Sequence, residues 1–327
     1  MTFAIPWVSA AVAGAVDTIR PAADTRRRLP SGSFEMPHVN DAPDPGRAIA
    51  FQGFPGAYSH VACLNAYPAM QPLPCLTFED VFAAVREGRA RYAMIPIDNS
   101  VAGRVADVHH LMPYAGLHII AEHFERISHH LLAVKGATLE TIKAVESHVH
   151  ALGQCRNLIR QMGLTAIVGA DTAGAAAQLA ESGDTSRAAI ASGLAGEIYG
   201  LETLKAGVED APHNTTRFLV LSREAVEPNP NLPCVTTFVF RVRNVPAALY
   251  KALGGFATNG VNITKLESYL VAGEFVAAQF YVDVEAHPAS RNLRLALEEL
   301  DFYSHEVRIL GVYPAHGFRQ TQRPAGE

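Results

Sequence analysis

Residues 143–191 read KAVESHVHALGQCRNLIRQMGLTAIVGADTAGAAAQLAESGDTSRAAIA and alternate between two hydrophobic patterns. Short apolar runs at 143–148, 165–170 and 187–191 predict strands, and the longer stretches at 150–162 and 172–182 predict helices. Strands separated by helices are typical of parallel βαβ units whose sheet is covered on both faces. The sequence therefore predicts an α/β fold.

The same alternation continues on both sides of this stretch. The further elements that it predicts are strands at 48–52, 92–98 and 215–222 and helices at 60–66, 77–88 and 193–199. Two apolar runs, 117–124 and 130–134, have no helix between them, and we interpret them as a crossover between two α/β lobes, the second at about 125–200. A cleft between two lobes is a natural place for a ligand.

A second domain is predicted after a stiff connector at 224–233 that contains Pro228, Pro230 and Pro233. Its elements are strand 235–243, helix 246–258, strand 261–270, a turn at 272–273, strand 275–285, helix 289–300 and strand 307–313. This βαββαβ order is the α+β ferredoxin-like layout, whose exposed sheet edge favours pairing with another copy of the chain. The predicted domains are thus a two-lobed region at 48–223 and a domain at 234–314.

The two ends of the chain read differently from these domains. Residues 1–47 combine an Ala-rich start, a basic cluster and a stretch of Pro, Asp and Gly without sustained periodicity, which predicts a flexible extension. We interpret 315–327 as a tail. Met36 stands shortly before the first strand, and translation starting there is a hypothesis that the intact mass of the protein would test.

Composition excludes several classes of protein. With 27 Lys plus Arg against 32 Asp plus Glu and 49% apolar residues, the chain has a substantial core and lacks the clustered cations of a nucleic-acid-binding protein. No apolar run has the roughly 18 residues of a membrane span, and no Lys or Arg precedes the Ala-rich start as in a signal peptide. The four cysteines share no CxxC spacing, which favours reduced thiols in a cytoplasmic protein.

Polar side chains follow several of the predicted strands. The segments are 53–59 with Ser59, 96–103 with Asp98, Asn99 and Ser100, 147–155 with Ser147 and Gln154, 171–172 with Thr172, and 213–218 with Thr215, Thr216 and Arg217. Open α/β sheets place ligands at such strand ends. The alternative is local structure, in which Asp171 caps a helix, Asn214 and the threonines bond within turns and Arg217 pairs with an acid.

Metal and nucleophile sites find less support in the pattern. The histidine pairs 109–110, 129–130 and 148/150 contain no HExxH-type i, i+4 pair, and adjacent histidines point to different sides of an element. No GxSxG elbow surrounds a serine, and Cys155 has no identifiable base. We therefore predict no metal site.

Taken together, these segments resemble the prephenate dehydratase family. Residues 51–59 are similar to its first motif, 96–105 to its PIENSxxGxV segment, 147–155 to its SHPxALxQC segment and 209–218 to its EDxxxNxTRF signature. The resemblance runs from about residue 48 to residue 314, and the C-terminal part resembles an ACT regulatory domain. It implies a catalytic region like a two-lobed periplasmic binding protein, followed by that regulatory domain.

The resemblance implies an enzyme that converts prephenate to phenylpyruvate, CO2 and water in phenylalanine biosynthesis, without a cofactor. It makes Thr216 the catalytic residue, hydrogen-bonded to the leaving hydroxyl. Because a threonine hydroxyl is a poor acid, Asp98 is a candidate proton source if burial raises its pKa. Arg217 is then expected to hold a substrate carboxylate. The other expected substrate-binding residues are Ser59, Asn99, Ser100, Ser147, Gln154, Thr172 and Thr215.

The resemblance also implies feedback by L-Phe and assembly into homodimers or homotetramers through the ACT domain. The expected effector residues are Asn244, Ala247, Ala248, Leu249, Asn262, Glu267 and Ser268. Two departures weaken this expectation, because the family's GAL motif starts here with Ala247 and its ESRP motif ends here in Tyr269 and Leu270. A third departure is Asp98, where the family has the longer Glu.

Two alternatives stay open at this stage. An amino-acid sensor or solute-binding protein would also use two lobes around a cleft, and turnover of prephenate separates it from an enzyme. An arogenate dehydratase acts on a substrate with an amino group in place of the keto group, and competing assays would establish the preference.

Overall fold

A computed structural model describes residues 43–243, 245–271 and 274–321, with the backbone alone for 271 and 274–278. Most of the extension predicted at 1–47, the turn at 272–273, Asn244 and the end of the predicted tail lie outside the described residues. Among the residues described, no helix is both long and apolar enough to cross a membrane.

The first lobe is built on a sheet whose first strands are parallel. Its elements are β1 (Ala48–Gln52), α1 (Tyr58–Ala66), β2 (Gln71–Cys75), α2 (Phe78–Arg86), β3 (Tyr92–Asn99), β4 (Gly103–Arg104), α3 (Ala106–Leu111), a 3₁₀ turn (Met112–Tyr114) and β5 (His118–Arg126). The predicted capping box of α2 is confirmed, since Thr77 and Asp80 exchange both side-chain-to-backbone hydrogen bonds. Strand β2 was not predicted because it contains Pro72 and Pro74, which a strand tolerates at the edge of a sheet, where β2 lies.

The second lobe has its own five-stranded sheet with the order β10-β6-β9-β7-β8. Its elements are β6 (His130–Ala133), β7 (Ala144–Ser147), α4 (Val149–Gln154), α5 (Arg156–Gln161), β8 (Thr165–Val168), α6 (Thr172–Ser182), β9 (Arg187–Ala191), α7 (Gly193–Tyr199) and β10 (Glu202–Lys205). The helix predicted at 150–162 is two helices, because Cys155 leaves the helical region of backbone dihedrals. Strands β7, β8 and β9 are parallel as predicted, whereas β6 runs antiparallel to both of its neighbours, β9 and β10.

The chain then returns to the first lobe in β11 (Thr215–Ser222), which pairs with both β3 and β5. Both pairings are antiparallel, which corrects the expectation of parallel strands throughout. The reason is that the chain re-enters the first sheet from the second lobe without a crossover helix to reverse its direction.

The C-terminal domain has the predicted βαββαβ order. Its elements are β12 (Cys234–Val242), α8 (Ala248–Thr258), β13 (Ile263–Val271), β14 (Glu274–Val284), α9 (Arg291–Tyr303) and β15 (Ser304–Pro314), followed by α10 (Phe318–Thr321). The sheet order β13-β14-β12-β15 is that of a ferredoxin-like domain. Strand β15 also pairs with β5 through Gly311 and Ile119, so the sheets of the first lobe and the C-terminal domain are continuous.

Side chains from the two faces of the first-lobe sheet enter different cores. Phe218 and Val220 of β11 pack toward α1 of the first lobe and toward α6 of the second lobe. Leu219 and Leu221 pack on the opposite face, in a core that also contains Val239 of the C-terminal domain. Alternation along β11 therefore gives one face to the space between the lobes and the other to the C-terminal domain.

Candidate active site

A cleft of about 590 Å³ lies between the two lobes. Its walls come from the start of α1, the end of β3, the segment 102–107, the first residues of β11 and the starts of α4 and α6. Phe78, Ile127 and Phe218 supply part of its apolar surface. The cleft therefore combines an apolar body with polar strand and helix ends, as small-molecule sites do.

Thr216 lies in this cleft, 9% exposed, and the orientation of its hydroxyl group follows from its neighbour Asn99. The Asn99 side-chain oxygen accepts from the backbone N–H groups of Val101 and Ala102 at 2.9 and 2.7 Å, so the amide nitrogen points the other way. That nitrogen donates to Thr216 Oγ1 at 2.9 Å. Because Thr216 already accepts a hydrogen bond, its own hydrogen is free to be donated into the cleft.

Behind Thr216, a chain of side-chain hydrogen bonds continues through Asn214 and Gln154. Asn99 Nδ2 also donates to Asn214 Oδ1 at 2.7 Å, and Asn214 Nδ2 donates to Gln154 Oε1 at 3.0 Å. Gln154 Nε2 returns a longer bond of 3.4 Å to Asn99 Oδ1. These three amides hold one another in a single orientation, which fixes the Asn99 amide that donates to Thr216.

The network ends at His129 and Tyr58, which also line the cleft. Burial lowers the pKa of His129, and the neutral ring donates from Nε2 to Gln154 Oε1 at 2.8 Å. Its Nδ1 lies 2.7 Å from the Tyr58 hydroxyl, whose single hydrogen is shared between this nitrogen and the Ser128 carbonyl at 2.9 Å. Burial raises the pKa of Tyr58 well above its usual value, so this phenol stays protonated as the donor.

Two more titratable groups of the cleft stand at the starts of helices. Asp171 caps α6 by accepting from the Gly174 N–H at 2.6 Å, and burial raises its pKa. His148 caps α4, and burial together with His150 lowers its pKa. The cap predicted at Asp171 is confirmed, and Thr172 and Ser59 occupy the first turns of α6 and α1 beside the cleft.

Five of the predicted site residues line the cleft together: Ser59, Asn99, Gln154, Thr172 and Thr216. Three others do not. The Ser147 hydroxyl is fully buried and donates to the Ile190 carbonyl, while Ser100 and Thr215 both donate to the His213 carbonyl and so shape the turn before β11.

Arg217 requires a correction, because it lies on the opposite face of β11 from Thr216. Its guanidinium is buried and donates to Glu122 at 2.8 Å, to Asp283 at 2.5 Å and to the Tyr313 hydroxyl at 2.9 Å. Although burial opposes the charge, Asp283 raises the pKa of Arg217. With its nitrogens bonded to Glu122 of the first lobe and to Asp283 and Tyr313 of the C-terminal domain, Arg217 does not line the cleft and is not placed to hold a substrate carboxylate there.

Asp98 requires the same correction. It pairs across the sheet with Arg217, whereas Phe218 pairs with Pro96, so Ile97 is an extra residue in β3. This bulge turns Asp98 away from the cleft, where its carboxylate accepts from Lys265 Nζ at 2.6 Å. A carboxylate held by a lysine of the C-terminal domain is not placed to deliver a proton to a ligand of the cleft.

The expected effector residues fall in different places. Ala247 has a left-handed backbone with φ of 61° and precedes Ala248 and Leu249 at the start of α8. Glu267 and Ser268 of β13 contact Arg104. Asn262 lines a separate cavity of about 700 Å³ between the connector and the C-terminal domain. Within one chain, the structure does not bring these residues together.

Tyr58, His129 and Asn214 are functional candidates that the sequence did not predict. Tyr58 and Asn214 lie in the polar segments 53–59 and 213–218, in which the sequence points instead to Ser59 and to residues 215–217 as contacts of the substrate. His129 follows the short crossover between the lobes and was considered as a metal ligand alone. The signal that would have found it is its position at a lobe junction, where a side chain faces the cleft.

The comparisons with known proteins agree with this fold and cleft. Residues 49–226 match the family model described as prephenate dehydratase. The chain belongs to the prephenate dehydratase family. It is 52% identical over 275 residues to "Bifunctional N-acyl-homoserine lactone acylase/prephenate dehydratase" of Komagataeibacter europaeus, a match that covers 84% of this chain and 98% of the relative.

Two further proteins extend the comparison. "Arogenate dehydratase/prephenate dehydratase 1, chloroplastic" of Arabidopsis thaliana is 38% identical, with 85% of this chain and 74% of the relative covered. The crystal structure of prephenate dehydratase from Arthrobacter aurescens in complex with L-Phe superposes with a TM-score of 0.77 at 30% identity, covering 85% of this chain and 92% of that one.

Proposed function

We propose that this protein is a carbon–oxygen lyase that converts prephenate to phenylpyruvate, CO2 and water in the cleft between the lobes. Prephenate loses its ring carboxylate as CO2, and the electrons of that bond move into the ring as the C–O bond to the hydroxyl breaks. The departing hydroxide takes up one proton and leaves as water. Aromatisation drives both bond cleavages, so the reaction needs positioned hydrogen bonds and no electron sink.

The observation that carries this proposal is the free hydrogen of Thr216. Asn99 occupies the acceptor side of the hydroxyl, so Thr216 presents a donor to the cleft. A donor aimed at the departing oxygen stabilises the charge that develops as the C–O bond breaks. The threonine supplies a hydrogen bond, and because Asp98 faces the C-terminal domain, we assign the net proton to bulk solvent, from which a water molecule at the leaving group relays it.

The wild-type protein tests the reaction directly. Purified protein incubated with prephenate should release phenylpyruvate and CO2 in equal amounts, with phenylpyruvate measured as its enol in alkali. Absence of product above the slow uncatalysed conversion would contradict the proposal and favour a protein that binds its ligand without turnover.

Arogenate is the second substrate to test in the same assay. It differs from prephenate by an ammonium group in the side chain, and a named relative at 38% identity carries both activities in its name. Equal amounts of the two substrates in one reaction, with phenylpyruvate and phenylalanine measured separately, give the ratio of kcat/KM values. We expect prephenate to be preferred, and a ratio in favour of arogenate would contradict that assignment.

A second candidate function is hydrolysis of N-acyl-homoserine lactones, because the relative at 52% identity is named as an acylase for them. Amide hydrolysis needs a nucleophile or water activated by a base. In the cleft, both ring nitrogens of His129 are already bonded, to Tyr58 and Gln154, so His129 is not free to act as that base. Release of homoserine lactone from an acylated substrate by the same preparation would establish the additional activity.

We also infer that L-Phe regulates the enzyme through its C-terminal ACT domain, in assemblies of two or four chains. The supporting observation is the L-Phe complex of the relative from A. aurescens. Ala247 adopts a left-handed backbone that glycine adopts at lower cost, so Ala247→Gly should preserve the fold and strengthen L-Phe binding. Calorimetry with L-Phe tests this, and weaker binding by the glycine variant would contradict it.

A further inference from the structure

His129 stands where the chain crosses from the first lobe to the second, between β5 and β6. Its backbone is tied to the returning crossover, because its N–H donates to Glu209 Oε2 at 2.9 Å and its carbonyl accepts from the Val208 N–H at 2.9 Å. The residue is 2% exposed and lines the cleft. A buried side chain on a backbone fixed in this way can hold more mobile neighbours in position.

The polarity of the amide network behind Thr216 follows from the backbone outward. The N–H groups of residues 101–102 are donors, so the atom of Asn99 that they contact is its oxygen. The Asn99 nitrogen then faces the oxygen of Asn214, and the Asn214 nitrogen faces the oxygen of Gln154. Gln154 therefore presents an acceptor to the ring Nε2 that lies 2.8 Å away, and this nitrogen must carry a hydrogen.

The other ring nitrogen of His129 agrees with this tautomer. Burial lowers the pKa of His129, so near neutral pH the ring is neutral and carries a single hydrogen. With that hydrogen on Nε2, Nδ1 is an acceptor, and the Tyr58 hydroxyl beside it is a donor. Tyr58 belongs to α1 of the first lobe and Gln154 to α4 of the second, so the ring bonds both lobes.

The bond from His129 is the shortest that the Gln154 side chain makes. It measures 2.8 Å, against 3.0 Å to Asn214 and 3.4 Å to Asn99. A glutamine side chain loses much rotational freedom when it is held, so each of its bonds opposes a tendency to turn away. Without the His129 donor, the Gln154 oxygen keeps a single bond. The Asn99 amide, which donates to Thr216, then loses a fixed neighbour.

We propose that His129 is a positioning residue of the dehydratase reaction: its Nε2–H holds the Gln154 amide and, through the amide network, the Thr216 hydroxyl in the orientation that donates into the cleft. The inference rests on the proposed function, because it takes Thr216 as the donor to the departing hydroxyl. In this role His129 acts through its neighbours. Its removal should therefore lower kcat and leave KM largely unchanged.

Steady-state kinetics of two His129 variants test this role. His129→Phe keeps an aromatic ring and removes the donor, so kcat should fall about tenfold, as expected for one hydrogen bond, with KM changed less than about threefold. His129→Gln restores an N–H toward Gln154, and its kcat should lie within about threefold of the wild type. The control His130→Phe makes the same exchange at the next residue, whose ring is outside the cleft lining and whose Nδ1 has no hydrogen-bond partner in the described part of the chain. Its kcat should match that of the wild type.

A double-mutant cycle with Thr216→Val separates positioning from a general loss of structure. If His129 acts through the Thr216 hydroxyl, His129→Phe should lower kcat less than about twofold once that hydroxyl is gone. Equal losses in the two backgrounds would contradict the inference, and so would a His129→Phe enzyme with the kcat of the wild type. In both cases the wild type still turns over prephenate and the proposed function stands. A wild type without turnover contradicts the proposed function itself.

The tautomer is measured independently of turnover by NMR of protein labelled with ¹⁵N in its histidine rings, with His129→Gln identifying the signals. Near neutral pH, Nε2 of His129 should show the chemical shift of a protonated ring nitrogen and Nδ1 that of an unprotonated one. The reverse pattern would contradict the assignment of Nε2 as the donor to Gln154.

Discussion

Arg217 joins strand β11 to the C-terminal domain. Its guanidinium bonds Glu122 on β5, Asp283 on β14 and the Tyr313 hydroxyl on β15, and all three partners are fully or nearly buried. Arg319 completes the cluster by donating to both oxygens of Glu122. Since Thr216 directly precedes Arg217 in β11, the position of the proposed donor depends on this cluster.

Replacing Arg217 by Met should therefore lower the free energy of unfolding. The change leaves the buried Asp283 carboxylate without its main partner, and breaking a buried ion pair costs about 3–5 kcal/mol. Urea denaturation measures the free energy of unfolding. The control Arg89→Met breaks the exposed pair with Glu87 and should cost at most about 1 kcal/mol. Equal losses in the two variants would contradict a structural role for Arg217.

The two residues Thr216 and Arg217 also indicate what the sequence can and cannot predict. Side chains in a strand alternate between faces, so the sequence already implied that neighbours in β11 could not both enter one cleft. The family motif nevertheless led us to expect both side chains at the substrate, and for Arg217 this expectation is wrong. The same alternation implies that Asp98 and Asn99 face opposite sides, but which of them faces the cleft depends on the bulge at Ile97, where β3 pairs with β11.

At the scale of elements, the junction of β15 and β5 depends on one glycine. A Cβ atom at Gly311 would lie 2.2 Å from the Ile119 carbonyl oxygen, a distance that no side chain tolerates. This close approach allows the sheet of the C-terminal domain to continue into the first lobe. The predicted elements gave no sign of the junction, because strand pairing between distant segments is not visible in local hydrophobic patterns.

Gly311→Ala should destabilise the protein by about 2 kcal/mol, since overpacking against backbone forces the strands apart. The matched control is Gly254→Ala in α8, where a Cβ meets no atom within 4 Å. There the exchange should stabilise the helix by about 1 kcal/mol. Thermal unfolding of the two variants compares them, and a Gly311→Ala protein as stable as the wild type would contradict the junction.

At the scale of the whole molecule, buried and partly buried histidines connect stability to pH. His60, His109, His129, His148 and His316 all have pKa values lowered, chiefly by burial. In the unfolded chain, histidines titrate near 6.5. Below that pH the unfolded state binds protons that the folded state does not, so the folded state loses stability as the pH falls.

The urea concentration at the unfolding midpoint should therefore be lower at pH 5.5 than at pH 7.5. The ion-paired carboxylates Glu122 and Asp283 do not contribute in this window, because their cationic partners outweigh burial and keep both pKa values lowered. The pKa of Asp171 is raised, so this one group stabilises the folded state as the pH falls and opposes the effect of the five histidines. An equal or higher midpoint at pH 5.5 would contradict the assignment of these histidines as neutral.

The two-lobed α/β region and the ferredoxin-like C-terminal domain were predictable because each has a regular hydrophobic period. Five of the ten predicted catalytic and substrate-binding residues line the cleft, since strand and helix ends converge there. The remaining five serve turns, a buried hydrogen bond or the contact between domains. Their roles depend on packing between segments far apart in the chain, which single-sequence patterns do not encode.

The central claim is that the Thr216 hydroxyl donates a hydrogen bond to the departing group of prephenate, and kcat of Thr216→Val measures it most directly. Valine keeps the shape and removes the donor, so kcat should fall about 10²-fold or more, while Thr216→Ser should retain most activity. Thr215→Val, which loses only a bond to the His213 carbonyl, should stay within threefold of the wild type. A Thr216→Val enzyme within threefold of the wild type would contradict the account.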